Sequence, residues 1–518
     1  MERLESGLSL EELIALTLAN DPNIALADLR VDSARGGLLV EQGLFEPLLE
    51  SDFSHLDARS PQAGGTVDES AVTDVSAGWS HLLPSGLSMD ASVAVQRQEP
   101  EDGVGLETTT LSWTFRQPLL RDRGRRVVAA GLLAAEEELT AQTWDRVDEV
   151  ARRIVAAVSQ YWQVVAADQD LRILRISEES SRTLLANTQR LIEADLLPAA
   201  DRVLVEADLL AKETATLSAE TALYAARQDL ELVTGTLQAG GAGLPLPVGE
   251  FSDLRLPAGI GGESGPAGGG GAEDVIGVSR VVASAESWVA RAMTTRPEIQ
   301  AAELRLEAGS LREEAARNGL LPRVDLLLTP GYETLSLDTA GFAPVPDLDG
   351  EASGFSATLG IGLSWPWLRR AARGRLIQST SARRQQALQL DLVRDDVIAG
   401  VRKALDAVDR SAVQVAKAAR GVALFEQAVS NEEKKLKAGS STLIDVIGQR
   451  DRLTSIRRQE IQARFALALA VLDLRFQTGT LVEVRQNVAE EATLRVPVQA
   501  VLTLPENQES VLAGASSP

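Results

Sequence analysis

The sequence predicts a mixed α/β membrane protein built by internal duplication, and three observations carry that expectation. Prolines and short motifs recur along the chain at fixed displacements. Alternating apolar and polar residues mark strands at equivalent places in two copies. From Gly124 to Pro198, and again from Trp367 to Pro497, no proline interrupts long runs of helix-forming residues.

Composition bounds what such a chain can do. Its 518 residues are 44% hydrophobic, and 51 basic against 74 acidic residues leave a formal charge of −23. So acidic a chain repels a phosphate backbone, and no nucleic-acid partner is expected. The absence of cysteine excludes disulfides, thiolate zinc sites and a cysteine nucleophile. With His55 and His81 the only histidines, a histidine metal site or triad lacks material, and no catalytic activity, metal or cofactor is expected. No stretch reaches the roughly 18 apolar residues that a membrane-spanning helix needs. The nearest, Ile154 to Ala167, is broken by Ser159, Gln160 and Gln163. A bilayer is then crossed only by a closed β-barrel, because open strand edges go unsatisfied in lipid. Met1 to Gly7 show no basic region followed by an apolar run, so no export signal is expected in the sequence.

The elements follow in order. Ser9 and Glu12 form a capping signature before a first helix that Pro22 interrupts. Asn20-Asp21-Pro22 returns as Thr295-Arg296-Pro297, and Pro47 returns as Pro322, both displaced by 275 residues. Six candidate strands come next, near 48–56, 73–82, 87–96, 108–117, 323–328 and 354–365. The cleanest sets Phe355, Ala357, Leu359, Ile361, Leu363 and Trp365 against Ser356, Thr358, Gly360, Gly362 and Ser364. Such dyads fit a wall with lipid on one side and water on the other, although a half-buried soluble sheet gives the same pattern. A long helix follows from Val127 to Ala194, with Ile154, Val158, Tyr161 and Val165 spaced as in packed parallel rods. Its return helix ends at Thr234-Gly235-Thr236-Leu237, which recurs as Thr478-Gly479-Thr480-Leu481 at a displacement of 244. The first copy is therefore longer, mostly between Pro47 and Pro118. These landmarks divide the chain into a first repeat at 8–237, a Gly/Pro-rich flexible connector at 238–274, a second repeat at 275–482 and a tail at 483–518. The glycines of the connector lack the strand-before, helix-after context of a phosphate cradle.

Together these features resemble the TolC-type outer-membrane efflux proteins over roughly Leu8 to Leu481. The residues that carry the resemblance are the opening segment Leu8 to Pro22, its divergent counterpart Trp288 to Pro297, and the bends Gln117-Pro118-Leu119-Leu120-Arg121 and Trp365-Pro366-Trp367-Leu368-Arg369. The resemblance implies a homotrimer: strands from three subunits close one transmembrane β-barrel in outer-membrane lipid, continued by a long periplasmic α-helical barrel. It implies export from the periplasm or an inner-membrane pump to the outside, with a periplasmic adaptor (membrane fusion) protein and an inner-membrane transporter as partners. Its pattern is four strands per subunit, so the hairpin turning at Leu83-Pro84-Ser85-Gly86 is an addition. The alternative is a periplasmic coiled-coil scaffold without a pore, which leaves the alternating strands unexplained.

The resemblance also points to the helical-hairpin tips as the entrance and the adaptor contact. In the second copy the tip is Gly439-Ser440-Ser441-Thr442 leading to Asp445, where Ser441 or Thr442 suits a helix cap. In the first copy it is Ala194-Asp195-Leu196-Leu197-Pro198 leading to Asp201, with Asp195 where a left-handed glycine stands in the other copy. Asp445 is expected to ring the entrance, whereas Asp201, a weaker candidate for it, is expected rather to bond or pair between helices near the tip, and a carboxylate at a helix start is also favoured by the macrodipole alone. Gly448 takes the place of a further aspartate in the family's pattern, which thins that ring. Trp79, Trp113, Trp365 and Trp367 are candidate interface anchors.

Overall fold

The computed structural model describes residues 7–61, 67–100, 104–195, 198–237, 244–249, 251, 285–338, 352–438, 440–485 and 493–495. In chain order these form α1 (Leu10–Asn20), α2 (Pro22–Gly43), β1 (Leu48–Pro61), β2 (Val67–Leu82), β3 (Ser88–Pro100), β4 (Gly105–Pro118), α3 (Arg125–Val128), α4 (Ala130–Glu193) and α5 (Ala200–Val233). Then come α6 (Ala285–Thr295), α7 (Pro297–Asn318), β5 (Arg323–Asp338), β6 (Ala352–Ser364), α8 (Arg370–Lys437), α9 (Leu443–Gln477), β7 (Glu483–Arg485) and β8 (Thr493–Arg495).

The helices obey the displacements legible in the sequence. A shift of 275 carries α1 onto α6, α2 onto α7 and the start of β1 onto the start of β5. A shift of 244 carries the ends of α4 and α5 onto those of α8 and α9. At 64 and 68 residues, α4 and α8 are the long rods. The predicted first rod is interrupted near its start, because Ala129 separates the short α3 from α4. Among the described residues no helix is long and apolar enough to cross a membrane.

The chain forms two compact units, and each draws on both copies. One unit holds residues 1–30, 143–301 and 391–518. Its core gathers α1, α4, α5 and α9 around Tyr161 and Trp162, both about 1% exposed. Part of the stretch read as connector belongs to this core: Leu8 bridges Pro247, and Phe251 stacks on Trp162 with ring centroids 5.2 Å apart. The Tyr161 hydroxyl donates to the Leu8 carbonyl (3.2 Å) and accepts from the Gly249 N–H (2.8 Å). Here too the two recurring motifs meet within each copy. Gly235 and Gly479 end α5 and α9 with φ of +68° and +64°, the left-handed cap that glycine enters freely. A Cβ on Gly235 would lie 2.3 Å from the Asn20 carbonyl, and one on Gly479 would lie 2.9 Å from Thr295 Oγ1. Thus the proline-kinked helix pair docks on the helix cap twice over.

The second unit holds residues 31–142 and 302–390, and it contains the sheet. Its six strands form an antiparallel meander in the order β1-β2-β3-β4-β5-β6. The hairpin turning at Leu83 to Gly86 is therefore an integral part of the sheet. The strands outrun their predicted limits. The strand expected near 323–328 continues through Pro330 and Gly331 to Asp338. Pro330 pairs with Ala357 of β6, while the ladder to β4 is interrupted between Leu328 and Gly331, where proline offers no N–H.

Candidate functional site: sheet face and helical tips

Register decides what each face of the sheet presents. In adjacent strands, directly paired residues share a face. Leu49 pairs with Trp79, Trp79 with Ala91, and Ala91 with Trp113. Phe53 pairs with Val75, and Val75 with Val95. Phe115 pairs with Leu328 and Leu111 with Tyr332, which in turn meet Leu359 and Phe355. One face is thus an apolar band continuous across all six strands. The other face carries Ser76 and Gly78 of β2, Ser92 and Ala94 of β3, Ser112 and Thr110 of β4, and Gly360, Thr358 and Ser356 of β6. On β6 the apolar residues are largely bare: Phe355, Leu359, Ile361 and Leu363 are 71–74% exposed. Phe355 to Leu363 spans nine residues, and a tilted transmembrane strand needs about 9–11. Trp79 and Trp113 flank Ala91 in one row of the band, and Trp365 stands just past β6 with the Arg369 guanidinium 5.3 Å from its ring. Among the described residues the β1 and β6 edges have no partner strand.

The tips close by local hydrogen bonds. Asp195 adopts φ of +57°, the left-handed conformation expected where glycine is missing, and its N–H donates to the Ile192 carbonyl (3.0 Å). The Ala194 N–H donates to Arg190, and the Pro198 carbonyl accepts from the Asp201 N–H (3.1 Å). Asp201 sits in the first turn of α5, whose start has no side-chain cap. In the second copy the Ser440 N–H donates to the Lys435 carbonyl (2.9 Å). Leu196 and Gly439 lie outside the described residues.

Thr442, rather than Ser441, caps α9. Its hydroxyl oxygen accepts from the Asp445 N–H, and the Asp445 carboxylate accepts from the Thr442 hydroxyl (2.6 Å) and N–H (3.3 Å). Hydrogen bonds from Thr442, aided by Lys435, hold the Asp445 carboxyl below its ordinary range. The Ser441 hydroxyl donates to Glu432 (2.6 Å), and this bond together with Lys435 lowers the Glu432 carboxyl as well. Asp445 is exposed and Glu432 half-buried, and both are ionised at neutral pH.

Sequence reasoning missed how the rods are registered near these tips. Arg458 of α9 donates twice to Asp170 of α4 (2.6 and 3.0 Å). Lys212 of α5 pairs with Asp451 of α9, and Arg450 of α9 pairs with Glu433 of α8 (2.5 Å) and donates to Ser180 of α4 (2.9 Å). Partners up to 288 residues apart leave no local signal in the sequence. Each exposed pair contributes about 0–1 kcal/mol, so the set fixes register more than stability.

The sheet thus presents one apolar face and, among the described residues, two unpaired edges, while the helices recur in two copies. Residues 288–480 match the sequence profile described as outer membrane efflux protein. That match covers most of the second copy. It is similar to the proteases secretion protein PrtF of Dickeya chrysanthemi, 23% identical over 438 residues that cover 82% of this chain and 85% of PrtF. The fold is shared with the outer membrane channel CmeC of Campylobacter jejuni, at 13% identity and a TM-score of 0.62 over 93% of this chain and 88% of that one. It is shared also with the open state of the MtrE channel of Neisseria gonorrhoeae, at 16% identity and a TM-score of 0.62 over 91% and 88%.

Proposed function

We propose that three copies of the chain pool their sheets into one sealed barrel, that their rods enclose the periplasmic tunnel, and that the hairpin tips receive a periplasmic adaptor coupled to an inner-membrane transporter. The carrying observation is the apolar band that runs unbroken from one unpaired edge to the other. An open edge in lipid leaves backbone N–H and C=O groups unsatisfied at several kcal/mol each, so β6 of one subunit must meet β1 of the next. The protein performs no bond chemistry in this reading: the transporter supplies energy and selects cargo, and the channel supplies a water-filled route. The likeness to a proteases secretion protein favours a polypeptide cargo.

Asp445 and, more weakly, Asp201 form the entrance of this tunnel. What supports the assignment is position: each begins the return helix of a hairpin, and Asp445 is kept charged by its cap. Three copies of Asp445 make a ring of carboxylates that concentrates cations. Ala194, Asp195, Leu196, Pro198, Gly439 and Ser440 form the adaptor-facing tips. The test is single-channel recording of the purified protein in a planar bilayer. Asp445→Ala should lower cation preference and alter conductance. Identical selectivity and conductance would remove Asp445 from the entrance.

A further inference from the structure

The bends that lead from sheet to rod recur between the copies. Pro118 and Arg121, at the end of β4, return as Pro366 and Arg369 after β6, both displaced by 248 residues (118 to 366, 121 to 369). Folding brings these two bends to one place. Together with the end of α7 and the first turns of α8 they line a cavity of about 650 Å³, which lies wholly within the unit that holds the sheet.

The cavity is basic in a chain whose formal charge is −23. Arg121, Arg369, Arg370 and Arg375 line it against the single carboxylate of Asp122, so four positive charges less one negative leave three. Arg121 Nε stands 3.5 Å from that carboxylate, and Arg369 Nη1 donates to the Leu320 carbonyl (3.4 Å). The Nε of both arginines is nevertheless buried without a hydrogen-bond partner among the described residues. The side chains of Arg370 and Arg375 have neither an ion pair nor a hydrogen bond among those residues. The backbone adds to this charge. Arg370 begins the 68-residue α8, whose first turn holds no acidic residue. Arg373 is the first to close a helical bond, donating to the Arg369 carbonyl (2.9 Å), so the N–H groups of Arg370, Ala371 and Ala372 are the open amides of a helix start, and all three residues line the cavity. Such a start favours an anion.

The remaining wall continues the apolar face of the sheet. Trp365 follows Phe355, Leu359, Ile361 and Leu363 at the same two-residue spacing, and the Arg369 guanidinium stands 5.3 Å from its ring. Trp367 and Leu368 line the cavity although they are 87% and 58% exposed, too bare for core residues. In the orientation proposed above the rods lead into the periplasm, so the cavity stands at the periplasmic end of the barrel. Tryptophan beside arginine at such a level matches the boundary where acyl chains give way to headgroups.

We propose that the cavity binds the phosphate of an anionic glycerophospholipid from the periplasmic leaflet, one per subunit, with its acyl chains laid along the bare apolar residues of β6. The arginine forks and the amides of α8 supply donors in the number that a phosphate accepts. The surplus of positive charge favours a lipid with a net negative headgroup over a zwitterionic one, and the apolar wall favours a lipid over a free anion. A headgroup held here fixes the depth of the barrel in the bilayer.

The proposal rests on the membrane reading above, and the experiment separates the two. Native mass spectrometry of the full chain, released from a mild detergent, is recorded with dioleoyl phosphatidylglycerol, dioleoyl phosphatidylcholine or inorganic phosphate added. The protein should retain phosphatidylglycerol at one per subunit in preference to phosphatidylcholine. Arg370→Gln combined with Arg375→Gln should weaken that binding by about thirtyfold, roughly fivefold for each charge lost. Equal retention of the two lipids, or a double variant that binds like the wild type, overturns the site. Displacement of the lipid by inorganic phosphate would assign the cavity to a free anion and overturns the lipid. A trimer that retains no lipid overturns it as well, since the neighbouring subunit or solvent then fills the cavity. A monomer in the same spectra counts against the trimeric closure alone, because every residue of the site lies in one chain. Should the double variant fail to fold, the choice of the wild type between the two lipids decides.

Discussion

Asp409 on α8 is 4% exposed, and neither carboxylate oxygen has a hydrogen-bond partner among the described residues. Burial, and secondarily the nearby Asp406 charge, raises its carboxyl above the ordinary value of 3.8. A carboxyl raised on folding opposes the folded state wherever it must ionise, so its cost is present above the unfolded value and fades as pH falls through the raised one. Asp409→Asn should therefore stabilise the protein by the order of 1 kcal/mol near neutral pH, with the gain shrinking towards about pH 4. Thermal melting at the two pH values reads the difference. An equal gain at both would show that lost charge is not the cause. Asp445 has the opposite sign: its carboxyl is lowered, so its cap is intact at neutral pH and fails only as acid protonates it. Thr442→Ala should cost about 1 kcal/mol, seen as faster amide exchange in the first turn of α9. Exchange unchanged in that turn would show the cap to be dispensable. At this scale much was legible. Thr442 and Asp445 stand three apart in the spacing of a capping pair, and Asp195 occupies the place of a glycine. The buried state of Asp409 was not, because it depends on which face of a 68-residue rod its neighbours cover.

For the elements, the helices were the more readable. A displacement of 275 or 244 is a property of the chain alone, and each helix boundary carries its own punctuation: Pro22 and Pro297 at kinks, Gly235 and Gly479 at ends. Gly479→Ala should test that logic, costing about 1–2 kcal/mol from the left-handed backbone, with contact against Thr295 besides. A melting temperature equal to wild type would mean that the cap carries no strain. Strand limits were less legible because pairing, not composition, sets them. β5 runs through Pro330 because β6 supports it on the other side. What the alternation does determine is which face meets lipid. Leu359→Arg, on the apolar face of β6, should cost about 2–4 kcal/mol of stability in the bilayer, whereas Thr358→Arg on the opposite face should cost much less. Reversible unfolding in lipid vesicles compares them. Equal penalties would mean that the two faces see the same surroundings.

The whole molecule follows from what a single protomer leaves unfinished. Its sheet ends in two open edges, its apolar band is bare on β6, and its rods expose apolar residues such as Ile377, Leu388 and Leu392 of α8. Sequence alone supplied the duplication and the dyads. It did not supply the packing of residues 244–249 and 251, whose Gly/Pro-rich composition reads as linker although they lie against Tyr161 and Trp162. The chain has no cysteine, so introduced pairs report without background. The most direct measurement is oxidative cross-linking in native outer membranes of one cysteine on the polar face of β1, replacing Ser54, combined in turn with cysteines at Ser356, Thr358 and Gly360 on the same face of β6. The account predicts that at least one combination yields a covalent ring of three times the 55.2 kDa protomer mass, and that neither single cysteine does so alone. Protomers that stay unlinked in every combination would contradict the closed barrel on which the function depends.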